Sequence, residues 1–252
     1  MLDSNRNLIA VKMARAAAPP GQPLIAVLQA VVLFIMDCKP GNSHRLADCE
    51  KYRPILPAEA RCEAFLAIVS GATGLLYFDW GPTVASTPQN TSASFLIDEM
   101  PDVWAELRSI ATEVRDLAPL IVGGQAPPFA AQVSATGADN REAEGGGPYS
   151  TWTALDVGVW QNSSTLLVIA VSTVPRPLKS VVIDLTALTE TLLRPNATVA
   201  VDLGRRGKLH DQTAEHSLNR TVAMVDWRIE DTNFSGAYGV HHYTIPLQQH
   251  GR

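Results

Sequence analysis

Between Tyr52 and Trp80 a helix and a buried strand follow one another with only a glycine turn between them, and that pairing commits the chain to β/α steps. Pro57 suits the first helical turn, where its missing N–H leaves nothing unsatisfied. Glu59 stands near the positive end of the helix dipole. Cys62, Phe65, Leu66 and Val69 then recur at helical spacing, and Gly71 falls where a left-handed cap is expected. Gly74-Leu75-Leu76-Tyr77-Phe78 is a short apolar run suited to a strand buried on both faces. It stops at Asp79-Trp80-Gly81-Pro82, a polar and aromatic strand tip. Helix, turn, buried strand and polar tip make one α/β step. In such folds ligands gather at the carboxyl ends of the strands.

The flanking segments extend this pattern and then abandon it. Residues 5–18 carry Leu8, Val11, Met13, Ala14 and Ala17 with Arg6, Lys12 and Arg15 between them, an amphipathic helix. Pro23 to Ala30 reads as another parallel strand buried on both faces. Residues 37–53 and 83–97 read as loops. From Pro101 to Leu120, Trp104, Leu107, Ala111, Val114 and Ala118 form a helical stripe. Residues 123–150 concentrate glycine and proline and read as a linker. Beyond them the period becomes that of strands: Thr153–Trp160, Thr165–Ser172, Lys179–Leu185, Thr198–Leu203, Val222–Trp227 and Val240–Ile245. Short strands at regular intervals predict an antiparallel β-sandwich over residues 151–252.

Charge and composition remove several classes of function. With 46% hydrophobic and 18% charged residues the chain has material for a core. A formal net charge of −5 without a basic block argues against a nucleic-acid partner. Arg205-Arg206-Gly207-Lys208 reads as a solvated turn. The apolar run Leu24 to Met36 is shorter than the roughly 20 residues of a membrane helix. It also lies late for a signal peptide, behind Pro19-Pro20-Gly21. No membrane partner is expected, and localisation stays unassigned. Cys38 and Cys49 flank a polar loop and their pairing is left open; Cys62 reads as a small core residue. No Cys/His cluster has zinc spacing, no Gly-x-Ser-x-Gly elbow occurs, and no glycine loop opens a helix to hold phosphate. Neither metal nor cofactor is expected. His241 and His242 are adjacent in a strand, point to opposite faces and read as structural. Asn90, Asn162, Asn196, Asn219 and Asn233 head Asn-x-Ser/Thr sequons, which matter only on a eukaryotic secretory route.

Three stretches carry a family resemblance. YRPILPAEARCEAFLAIVSGATGLLYFDW resembles a segment near the end of the barrel in (β/α)8 glycoside hydrolases, through Arg53, Pro54, Pro57, Glu59, Arg61, Gly71, Ala72, Gly74 and Asp79. GQPLIAVLQA resembles the penultimate barrel strand of the same enzymes. EDTNFSGAYGVHHYTI resembles the last hairpin of the β-sandwich that follows many such barrels, through Asp231, Phe234, Tyr238, Gly239, Val240, His241 and Tyr243. The resemblance implies an α/β plus all-β chain. Residues 1–122 would be an incomplete (β/α)8-barrel segment, 123–150 a linker, and 151–252 the sandwich. A closed barrel needs eight strands, so the implied partner is a missing N-terminal barrel portion. The ligand class it implies is a carbohydrate.

The chemistry implied is hydrolysis of a glycosidic bond by two carboxyls. In the resembled barrels the acid/base stands at the end of the fourth strand, which has no counterpart here, and the nucleophile at the end of the seventh. The residue at that place is Gln29, an amide that cannot act as nucleophile; Asp37 lies further along. Asp79 and Trp80 offer a carboxylate and an aromatic face to a sugar. Gln29, Asp79 and Trp80 are therefore the candidate substrate-binding residues, and no catalytic pair is assigned. The expectation is the C-terminal portion of a glycoside hydrolase, catalytically incomplete as this chain. The alternative is a non-catalytic β-sandwich that binds carbohydrate or serves structurally.

Overall fold

A computed structural model of the protein describes residues 4–19, 21–29, 55–78, 100–124, 132–136, 154–178, 180–188, 198–202, 219–225, 227–232, 234 and 238–247. The first half is α1 (Ser4–Ala17), β1 (Ile25–Gln29), α2 (Pro57–Val69), β2 (Gly74–Phe78) and α3 (Pro101–Ile121). The second is β3 (Gln132–Thr136), β4 (Leu155–Gln161), β5 (Thr165–Ser172), β6 (Ser180–Asp184), β7 (Thr198–Asp202), β8 (Asn219–Val225), β9 (Arg228–Asp231) and β10 (Val240–Pro246). Among the described residues, no helix is long and apolar enough to cross a membrane.

The α2 boundaries follow from local chemistry. Pro57 occupies the first turn, and the Leu56 N–H donates to Glu59 Oε2 at 2.9 Å, satisfying a donor that the helix itself leaves unpaired. At the other end Gly71 takes φ +101°, and the Gly71 and Ala72 N–H groups close back on the Ile68 and Ala67 carbonyls. This is the glycine-dependent stop expected there. Between these ends every residue from Glu59 to Ile68 is buried. A helix buried all round lies inside the molecule rather than on it.

Two sheets flank α2. β1 and β2 pair in parallel, in register from Ile25 with Gly74 to Gln29 with Phe78. Their starts are tied by Leu24 and Thr73: the Leu24 N–H donates to Thr73 Oγ1 at 2.9 Å, and the Thr73 N–H donates to the Leu24 carbonyl at 2.8 Å. Ala26 and Leu28 share a core with α2. Ile25, Val27 and Leu76 are instead 63%, 57% and 56% exposed. Both strands were expected to be buried on both faces. The structure buries one, because the described residues supply a helix on one side of the pair and no layer on the other.

The second sheet has eight antiparallel strands in the order β3-β6-β9-β8-β7-β10-β5-β4. β8 carries the ladder across it, pairing with β7 through Asn219–Ala223 and with β9 through Met224 and Val225. β5 is buried on both faces. Leu166, Val168 and Ala170 join Val181, Ile183, Ile229, Tyr243 and Ile245 in one core. Leu167, Ile169 and Val171 join Phe65, Leu28, Val103, Leu107 and Ile110 in another. The helical half and the strand half thus meet in the second of these cores, around α2.

Two readings of the sequence are corrected here. Gln132–Thr136 lies inside the segment read as linker, yet forms β3 and pairs with β6; five residues of alternating polar and small apolar type are masked by the surrounding glycines and prolines. Val222–Trp227 was read as one strand. The strand ends at Val225, and Trp227 (φ +62°) turns the chain into β9. Asp226 was the only turn-forming residue to mark that corner.

Candidate functional site

Parallel pairing brings the carboxyl ends of β1 and β2 side by side. Gln29 ends β1 opposite Phe78, the residue before Asp79. The backbone of Gln29 therefore sits at the strand tips. Asp79 and Trp80 lie outside the described residues, as do Asp37, Cys38 and Cys49. Cys62 is a buried core thiol, and its Sγ lies 3.3 Å from the Ser172 carbonyl. Burial first, then Glu63 and Glu59, push its pKa up, so it holds its proton and is a poor nucleophile.

Behind the strand tips, at the meeting of α2, α3 and β10, lies a buried charge network. Arg61 Nη1 donates to Glu106 Oε1 at 2.9 Å, and Nη2 donates to Glu113 Oε2. Glu113 Oε1 in turn lies 2.9 Å from His242 Nδ1, outside the direction of a hydrogen bond. The three partners of this chain are nearly sealed: 8% of the Arg61 side chain, 4% of Glu106 and 10% of Glu113 are exposed. Arg61 also stands over the Phe65 ring, its Cζ 5.2 Å from the centroid, and Phe65 packs on the His242 ring at 4.8 Å. Burial would lower the Arg61 pKa, but Glu113 and Glu106 turn the balance and raise it. Burial would raise Glu113, but His242 and then Arg61 hold it below the ordinary carboxylate range. Both are therefore charged at neutral pH, a cation clamped between two anions.

Glu63, two residues along α2 from Arg61, has no such partner among the described residues. It is 5% exposed, and its Oε2 makes no hydrogen bond, like the nearby Tyr77 hydroxyl. Burial, and then Glu59, lift its pKa to about 7. A carboxyl tuned to neutrality is the profile of a general acid. It lies on the enclosed helix α2, and its protonation bears on stability. The folded state holds this proton more tightly than the unfolded chain, whose carboxyl titrates near 4.5. As pH rises from about 4.5 to about 7 the unfolded state releases it first, and stability falls by about 3 kcal/mol from this group. Glu63→Gln is expected to remove that slope and to be more stable than the parent above pH 7. Urea midpoints at pH 5 and pH 8 read it directly; an unchanged slope in the variant would disprove the assignment.

His241 and His242 do point to opposite faces. While His242 meets α2 and α3, His241 enters the sheet core, 2% exposed, with Nδ1 3.0 Å from Asp231 Oδ2. The Tyr243 hydroxyl donates to the same oxygen at 2.9 Å, and Phe234 stacks on the His241 ring at 3.9 Å. Asp231, Phe234, His241 and Tyr243, which carried the C-terminal resemblance, are thus one interior cluster. Among the described residues, no group of three or more His, Cys, Asp or Glu side chains is arranged to hold a metal ion.

No protein-family model matches the sequence, and no curated protein matches it. Solved structures similar to it include a glycoside hydrolase family 5 protein from Bacteroides vulgatus, with a TM-score of 0.46 and 12% identity over 96% of this chain. A second, described as a glycoside hydrolase, gives a TM-score of 0.47 and 13% identity over 97% of this chain. A glycoside hydrolase family 30 subfamily 8 xylanase from Clostridium acetobutylicum gives 0.38 and 8% over 98%. The chain spans 45%, 46% and 62% of the length of these three proteins.

Proposed function

We propose that this chain is the C-terminal portion of a glycoside hydrolase, catalytically incomplete alone, with a sugar site at the tips of β1 and β2 formed by Gln29, Asp79 and Trp80. The reading is carried by the parallel register that sets Gln29 beside Phe78, because it brings the end of β1 next to the start of the Asp79-Trp80 tip. The sequence resemblance over Gly21–Ala30 and Tyr52–Trp80 supplies the chemical class. A partner follows from the same pair of strands. Ile25, Val27 and Leu76 leave an apolar face in water, and parallel strands are ordinarily covered on both faces. The cover is a further set of barrel strands, which would also carry the two carboxyls that hydrolysis needs.

Binding without turnover is the expected result. Titration of the chain with oligosaccharides should change its tryptophan emission, and Asp79→Ala and Trp80→Ala should each weaken that binding tenfold or more, about 1.4 kcal/mol. Aryl glycosides should remain uncleaved. Turnover by the isolated chain would overturn the incomplete-site reading, and no saccharide response would overturn the strand-tip site.

A further inference from the structure

We infer that Asn162 is a site of N-linked glycosylation when the chain passes through a eukaryotic secretory route. Five sequons occur, and the fold separates them. Asn90, Asn196 and Asn233 lie outside the described residues. Asn219 opens β8, its backbone paired with Asp202 of β7 inside the ladder rather than in a turn. Asn162 is the first residue of the Asn162-Ser163-Ser164 tip between β4 and β5, and all three residues are exposed.

The side-chain geometry at that tip is particular. Asn162 Oδ1 accepts from the Ser164 N–H at 2.9 Å and from the Thr165 N–H at 2.8 Å. It also accepts from the Ser164 hydroxyl at 3.3 Å. Two backbone donors fix which end of the amide is oxygen, so Nδ2 is the end left over, and among the described residues the turn makes no hydrogen bond through it. Three donors on Oδ1 draw electron density from the amide and make its N–H more acidic. One of the three is the hydroxyl of the third sequon residue, which ties the motif's Ser to the reacting group. The backbone of the tip is satisfied independently, by the Asn162 N–H to the Thr165 carbonyl at 3.0 Å and the Leu247 N–H to the Ser164 carbonyl at 2.8 Å. A glycan on Nδ2 therefore displaces none of these bonds.

The step transfers an oligosaccharide from a lipid-linked pyrophosphate donor. Nδ2 bonds to the anomeric carbon, the bond from that carbon to the pyrophosphate oxygen breaks, and lipid pyrophosphate leaves with the electron pair. The Nδ2 proton goes to solvent through the transferase. The modification adds a bulky, solubilising group at one end of the β4–β5 hairpin.

The test is site mapping on the full chain, expressed behind a cleavable leader in a eukaryotic secretory host. Enzymatic removal of glycans in heavy-oxygen water converts each occupied Asn to a labelled Asp. The expected result is label at position 162 in the parent chain. The label should be lost in Ser164→Ala, which keeps Asn162, and retained in Ser164→Thr. Recovery of unlabelled Asn162 from parent protein drawn from the secretory pathway overturns the inference, and that measurement stands even where a variant fails to fold.

Discussion

Arg61→Ala should lower the stability of this protein by about 3–5 kcal/mol, because it leaves two buried carboxylates facing each other without their cation. The guanidinium is held by Glu106 at 2.9 Å and by Glu113, so its removal is felt on α2 and α3 together. Loss of packing on Phe65 adds to it. Urea denaturation at neutral pH gives the value. A second variant separates charge from packing: Arg61→Met with Glu106→Gln and Glu113→Gln removes all three charges at once. Replacing a buried ionic group with neutral side chains of similar size is far milder than breaking it, so the triple variant should recover much of the loss. A single Arg61→Ala variant within 1 kcal/mol of the parent would mean that the cluster is hydrated and not the sealed network described.

The location of that network explains which parts of the fold could be read from sequence. The α2 start and stop were legible because each rests on one residue type in one place, Pro57 and Glu59 at the head and Gly71 at the tail. β5 was legible from Thr165 to Ser172 because an unbroken apolar run of that length fits a strand buried on both faces. The α3 stripe marked Pro101 to Leu120, and the helix runs to Ile121. β3 and the β8–β9 corner were not legible, since a five-residue strand among glycines and a single left-handed residue at Trp227 carry little local signal.

The candidate site divides the same way. Backbone periodicity was enough to set the tip of β1 beside that of β2. The partners of Arg61 were beyond it, because Glu106 and Glu113 come from a helix 45 and 52 residues away. One signal was present: after Pro57, Glu59, Arg61 and Glu63 alternate within a helix otherwise made of Ala, Cys, Phe, Leu, Ile and Val. Charges on a helix that is buried all round must find partners or change protonation. Arg61 does the first and Glu63 the second.

The other prediction of comparable size concerns Asp231, at the opposite face of β10. Asp231→Ala is expected to destabilise the chain by about 3–5 kcal/mol, the scale for removing one member of a buried, hydrogen-bonded polar set. Asp231 and Tyr243 have no exposure and His241 has 2%, so water cannot replace the lost acceptor. Both the Tyr243 hydroxyl and His241 Nδ1 use the same Asp231 oxygen, and one deletion removes both contacts. Asp231→Asn keeps an oxygen acceptor and the shape, and should lose about half as much. Denaturation of the two variants and of Tyr243→Phe resolves the cluster: Tyr243→Phe removes a single neutral donor and should lose about 1–2 kcal/mol. If Asp231→Ala loses no more than Tyr243→Phe, His241 gains nothing from the carboxylate. Its place in the core would then owe more to ring packing, with Phe234 stacked on it and Tyr243 tilted against it, than to the Asp231 carboxylate.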